Sequence, residues 1–179
     1  MKLAQIQMHV TADKAANLRH AEELLRSVRG ADMAILPEMF CCPYDNSCFR
    51  AYGEPAGGAA YQMLSRAARE LGLWLVGGSL PELDDGRVYN TSFVFDPQGA
   101  CVARHRKMHL FDIDVEGGQR FRESDTLSPG DDVTLFDTPW GRMGLCICFD
   151  LRFEELCRVM ALEGARVLLA PAAFNMTTG

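Results

Sequence analysis

No uninterrupted apolar run in these 179 residues approaches the ~20 that cross a bilayer, so no membrane role is expected. There is no basic block either. Lys and Arg number 18 against 24 Asp and Glu, the formal net charge is -6, and nucleic acid is not an expected partner. The opening MKLAQIQMHV alternates polar and apolar residues and lacks the long apolar segment and small-residue cleavage site of an export leader. The seven cysteines are odd in number, and their spacings suit no common zinc site: Cys146 and Cys148 form a C-x-C, and Cys41 and Cys42 are adjacent. Without an export leader they read as reduced thiols of a cytoplasmic protein, most of them small buried hydrophobes. No internal repeat or low-complexity stretch is visible. What is there is ordinary for a soluble globular protein, with 48% hydrophobic and 23% charged residues, and the length predicts a single domain over 1–179.

Periodicity predicts the elements. Lys2 to Met8 reads as a strand, and Leu18, Ala21, Leu24, Leu25 and Val28 follow helical spacing with Gly30 behind them. Met33 to Leu36 is a short apolar strand ended by Pro37; 58–71 is helical, and Leu73 to Leu80 is a second buried strand. Two alternating runs, Val88 to Asp96 and Ala100 to Lys107, flank Pro97-Gln98-Gly99 as a hairpin. Phe111 to Gly130 has no clear period and reads as a long loop, a class often functional. Val133 to Asp137 and Arg142 to Cys148 form another strand pair, followed by a helix over Leu151 to Glu163 and a strand over Val167 to Ala170. Strands and helices alternate, with hairpins inserted. A layered α/β fold with helices covering mixed sheets is expected. The chain ends on loop sequence directly after a buried strand, which reads as a C-terminally incomplete domain.

Three polar residues stand at the ends of apolar strands: Glu38, Lys107 and Cys148. A cysteine at a strand-to-helix corner is a recurring place for a nucleophile, and the helix N-terminus behind it is expected to favour a thiolate. Each residue also has an ordinary reading. Glu38 fits a solvated loop carboxylate, Lys107 an edge-protecting charge, and Cys148 a core thiol within Leu-Cys-Ile-Cys-Phe. A Cys–His arrangement would need His20, His105 or His109 beside a thiol; His20 falls on a surface helix, and no orienting partner for the other two is identifiable. No carboxylate or cysteine completes a metal-ligand set around the histidines, so no metal is expected.

Leu36-Pro37-Glu38, Arg106-Lys107-Met108-His109-Leu110-Phe111-Asp112 and Gly144 to Glu155, with Cys148-Phe149-Asp150-Leu151-Arg152 at its centre, resemble the three signature segments of the nitrilase, or carbon–nitrogen hydrolase, superfamily. They stand in the family's order and at similar spacing, and the resemblance takes in Gly77 to Glu82 and Tyr89-Asn90-Thr91 as well. It implies an αββα sandwich with mixed sheets and hydrolysis of an amide carbon–nitrogen bond without any cofactor. It implies Cys148 as nucleophile, Glu38 as general base, Lys107 with the backbone N–H of Phe149 as oxyanion donors, and Glu123 as a second glutamate beside the lysine.

Residues 107–114 and 121–130 look most like omega-amidases, which cleave the terminal amide of dicarboxylate monoamides such as alpha-ketoglutaramate and succinamate. The substrate's free carboxylate needs a cation or strong donors, and Arg152, Phe174, Thr178 and Tyr44 are the substrate-binding candidates. Arg152 equally fits a structural salt bridge. Phe149 replaces a more usual tyrosine, Glu154 a proline or small residue, and Glu116 a proline. Family members run well beyond this length and usually form homodimers, so a homodimer or higher homo-oligomer taking a small-molecule amide is expected. The alternatives are another branch (nitrilase, N-carbamoyl amino acid hydrolase, deaminated glutathione amidase) or an inactive fragment serving as a binding or assembly module.

Overall fold

A computed structural model of the protein describes residues 1–114 and 120–174. Its strands, in chain order, are β1 (Leu3–Gln5), β2 (Met33–Ile35), β3 (Trp74–Val76), β4 (Leu80–Asp84), β5 (Arg87–Phe95), β6 (Cys101–Arg106), β7 (Asp112–Asp114), β8 (Arg120–Arg122), β9 (Thr134–Thr138), β10 (Gly141–Leu145) and β11 (Val167–Leu169). The α-helices are α1 (Lys14–Ser27), α2 (Asn46–Tyr52), α3 (Ala59–Leu71) and α4 (Glu154–Leu162), with 3₁₀ turns over Glu123–Asp125 and Cys148–Arg152.

Side-chain alternation along the strands sorts these elements into layers. In β2, Met33 and Ile35 point one way and Ala34 the other. Ala34 joins Leu75, Phe93 and Phe95 under the apolar stripes of α1 (Ala21, Leu25) and α3 (Leu64, Ala67, Ala68). Met33 and Ile35, with Val76 and Val94, pack instead against Phe136, Met143, Leu145 and Leu169 from β9, β10 and β11. On the far side of that second sheet, Cys146 meets Leu156 and Met160 of α4. The order is helix, sheet, sheet, helix, as the resemblance implied.

Both main sheets are mixed. β1, β2 and β3 pair in parallel, β5 runs antiparallel to β3, β4 and β6, and β10 pairs antiparallel with β9 and parallel with β11. The sequence reading missed three features. β4 hairpins with β5 across Asp85 (φ 45°) and Gly86 (φ 74°), the two positive φ values that a type I′ turn requires. A short helix, α2, is capped by Asp45, whose side chain accepts from Ser47 N–H. Within the segment read as a loop, β7 and β8 pair antiparallel. The helix expected from Leu151 starts later, as α4, behind the 3₁₀ turn.

The ends of β2, β6, β10 and β11 converge. Glu38 N–H donates to Ala172 C=O at 3.4 Å, Cys148 N–H to Pro171 C=O at 2.9 Å, and Lys107 N–H to Asn90 C=O at 2.9 Å. Backbone bonds therefore tie Glu38 and Cys148 to the segment just past β11, and Lys107 to β5, from where its side chain reaches Glu38.

Candidate active site

Glu38 leaves β2 through a backbone kink. Met39, the next residue, has φ 51°, and its N–H donates to Ser79 Oγ at 3.0 Å. Glu38 is 2% exposed, and all its charge is answered inside the protein. Oε1 accepts from Asn90 Nδ2 at 2.9 Å and Lys107 Nζ at 3.0 Å; Oε2 accepts from Ala173 N–H at 3.1 Å. Asn90 was not among the site residues expected from sequence. It lies on β5, holds Glu38 through its side chain and Lys107 through its carbonyl, and its own Oδ1 is buried without a partner among the described residues.

Lys107 follows β6 and is 1% exposed. Its ammonium bonds Glu38 at 3.0 Å, both oxygens of Glu123 at 3.0 and 3.1 Å, and the Tyr44 hydroxyl at 3.3 Å. Burial works against its charge, but the Glu38 and Glu123 carboxylates outweigh burial and hold it above the usual lysine range. The Glu123 carboxylate accepts from Phe111 N–H at 2.6 Å and from the Tyr44 hydroxyl at 2.5 Å. Burial raises the Glu123 carboxyl above its ordinary range even with Lys107 opposing. Tyr44, expected as a substrate contact, spends its hydroxyl on Glu123 and Lys107.

Cys148 opens the 3₁₀ turn at φ 45°, a conformation that costs a non-glycine residue about 1–3 kcal/mol and persists only where the surroundings enforce it. Burial pushes its thiol up to about 12, the Glu38 carboxylate pushes the same way, and the Ala173 N–H and Lys107 pull only partly back. The expected thiolate is therefore not the resting form. The short 3₁₀ turn supplies too little to offset burial, and the thiol keeps its proton until a base removes it. Phe149, whose N–H is the donor that the resemblance implied, follows Cys148 directly in the same 3₁₀ turn.

The histidine reading also changes. His105 is fully buried, with Nε2 3.1 Å from Asp150 and Nδ1 2.9 Å from the Thr134 hydroxyl; His109 Nδ1 lies 2.8 Å from Asp150. Both do have an orienting partner, and it is the same carboxylate. Arg152 is exposed, and its guanidinium lies over the Phe174 ring at 5.9 Å, so the structure brings these two substrate-binding candidates together. Phe174 and Glu38 line one cavity of about 420 Å³, within the range of small-molecule sites. Thr178 and Glu116 lie outside the described residues. No group of His, Cys, Asp or Glu that could hold a metal occurs among the described residues. All seven cysteines are free, four of them buried, and no described helix is long and apolar enough to cross a membrane.

A buried lysine between two glutamates, beside a strand-end cysteine, is the arrangement that the sequence resemblance implied. The family model for carbon–nitrogen hydrolases matches residues 2–179. The chain belongs to the carbon–nitrogen hydrolase family. Among its relatives, Omega-amidase NIT2 of Danio rerio is 48% identical over 99% of this chain, and the Homo sapiens protein of that name is 47% identical over the same share. The chain spans 65% of the length of each.

Solved members of the family give the same picture of the fold. Nit3 of Saccharomyces cerevisiae, from branch 10 of the nitrilase superfamily, superposes with a TM-score of 0.87 at 37% identity, covering 99% of this chain and 66% of that one. An amidase from Nesterenkonia sp. AN1, captured after Michael addition of acrylamide at its active-site cysteine, matches with a TM-score of 0.81 at 26% identity, covering 99% of this chain and 69% of that one.

Proposed function

We propose that this carbon–nitrogen hydrolase is a cysteine amidase whose preferred substrate is the terminal amide of a short dicarboxylate monoamide. The observation that carries the reading is the Lys107 ammonium fixed 3.0 Å from Glu38 and 3.0 Å from Glu123, with the Cys148 thiol facing Glu38. Glu38 takes the thiol proton as Sγ forms a bond to the amide carbon, and the carbonyl π electrons move onto oxygen. Lys107 Nζ and the Phe149 N–H donate to that oxyanion, with charge already organised for it. The tetrahedral adduct collapses, the carbon–nitrogen bond breaks, and the amine leaves as ammonia with the proton that Glu38 held. Water then attacks the thioester and gives a proton to Glu38; the acid departs, and the proton returns to Cys148.

Glu123 has a separate task. Tied to Phe111 N–H and the Tyr44 hydroxyl, it holds Lys107 through both of its oxygens. Arg152, whose guanidinium lies over the Phe174 ring, is the candidate cation for the substrate's free carboxylate in this reading. The omega-amidase relatives support this substrate class. The test is ammonia release from succinamate and alpha-ketoglutaramate, with Cys148→Ala as control. Release that disappears in the control is the expected result. A folded wild-type protein that releases none from either compound would overturn the substrate assignment.

A further inference from the structure

We propose that Asp150 is the positioning residue that locks the nucleophile turn to the lysine-bearing strand end, and that catalysis depends on this lock. The inference rests on the reading of Cys148 as nucleophile. Asp150 is completely buried and touches no group that the mechanism uses. Its two oxygens nevertheless accept four bonds from two separate places. Oδ2 takes the Ile147 N–H at 2.9 Å, one residue before Cys148, and faces His105 Nε2 at 3.1 Å. Oδ1 takes the His109 N–H at 2.8 Å and faces His109 Nδ1 at 2.8 Å. His105 and His109 are the residues two before and two after Lys107.

The chemistry makes this a rigid joint. A carboxylate only accepts, so the ring nitrogens facing it carry protons, and the Thr134 hydroxyl is left to serve the other nitrogen of His105. Every lone-pair direction on Asp150 is used. Burial penalises its charge, but the bonds from His105, Ile147 and His109 more than offset this and hold the carboxyl below its ordinary range. Such a fully satisfied buried network fixes one geometry, because shifting either end leaves a buried charge short of a partner. Cys148 and Lys107 come from different sheets, β10 and β6, and the intended oxyanion sits between them. Asp150 links those sheets a residue or two from both groups. It also supplies what the positive φ at Cys148 needs, since the Ile147 bond closes the turn from the other side.

Asp150→Asn tests this with almost no change of shape. Whichever way its amide is turned, its NH₂ meets a backbone donor that cannot accept from it, either the Ile147 N–H or the His109 N–H. The expected result is a folded protein whose kcat falls about 100-fold with KM unchanged, the scale of loss for a misplaced catalytic group. Alkylation of Cys148 by iodoacetamide, followed by intact mass, should slow in parallel. His109→Phe is the milder variant. It keeps the backbone N–H bond and the ring stack on Phe153, whose centroid lies 3.7 Å away, and removes only the Nδ1 donor. A fall of about tenfold in kcat is expected, the worth of one bond to a charged group.

Wild-type turnover lost in Cys148→Ala, together with wild-type kcat in a folded Asp150→Asn, would overturn the lock while leaving the amidase reading intact. If Asp150→Asn does not fold, wild-type kcat in His109→Phe does the same. If the wild type turns over no amide, the amidase reading fails separately, and the alkylation rates still decide. Equal rates in wild type and in whichever variant folds would overturn the lock.

Discussion

Cys148 is held as a thiol by its own burial, and under the proposed mechanism that makes Glu38 the residue on which reactivity turns. A thiol whose pKa is pushed up to about 12 is protonated throughout the neutral and mildly alkaline range, and its thiolate fraction rises as pH rises. In the proposed mechanism Glu38 accepts the proton as the sulfur bonds carbon, so attack does not wait for free thiolate. Glu38→Gln removes that route and keeps the size and the acceptor for Lys107. Alkylation of Cys148 in this variant should be slow near pH 7 and climb about tenfold per pH unit toward pH 10, while the wild type is faster at neutrality and flatter. Mass-resolved alkylation rates across that range decide it. A Glu38→Gln protein as reactive as wild type near pH 7 would remove Glu38 from the role of base.

Elements with a clear period were legible in the sequence, and those without one were not. α1 and α3 lie within a few residues of their expected bounds because their stripes face one core, and β2 and β3 are short apolar runs bounded by breakers. α2 has only seven residues, too few for a period to show, although Asp45 and Ser47 mark its cap. β4 contains Pro81, which argues against a strand unless the strand is an edge, as this one is; Asp85-Gly86 was the available signal.

The site divides in the same way. Glu38, Lys107 and Cys148 stand at strand ends and could be picked out, while Asn90 and Asp150 fall inside the recognised segments but make their contacts between elements, which no local pattern announces. One such contact predicts a measurable asymmetry. At Gly78, with φ +59°, an added Cβ would lie 2.2 Å from Pro37 O, so the segment bearing Glu38 must move. At Gly86, with φ +74°, nothing lies within 4 Å. Gly86→Ala should cost about 1–2 kcal/mol in urea unfolding, the penalty of positive φ alone, with turnover kept. Gly78→Ala should cost more and lose activity as well. Equal losses in the two would show that the Gly78 contact does not hold Glu38.

The molecule as a whole sets the Glu38–Cys148 separation, because its two main sheets each contribute one of these groups. Glu38 follows β2 of the larger sheet and Cys148 follows β10 of the smaller, and the core between the sheets is what spaces them. The outer core under α1 and α3 has no such relation to the site. Sequence patterning does not distinguish the two cores, since Met33 and Leu25 are equally apolar and, once folded, equally inaccessible at 0% exposure. Their truncation should separate them. Met33→Ala and Leu25→Ala each delete a buried side chain and should each lose about 2–5 kcal/mol of stability. Partial collapse around Met33 draws the sheets together at the base of the site, so its kcat should fall about tenfold even at temperatures where the protein is fully folded. Collapse around Leu25 moves α1 toward the outer face of one sheet and leaves kcat where it was. Urea midpoints and kcat measured on both variants test the division, and a kcat that tracks stability alike in both would mean that the inter-sheet core carries no special control over the site.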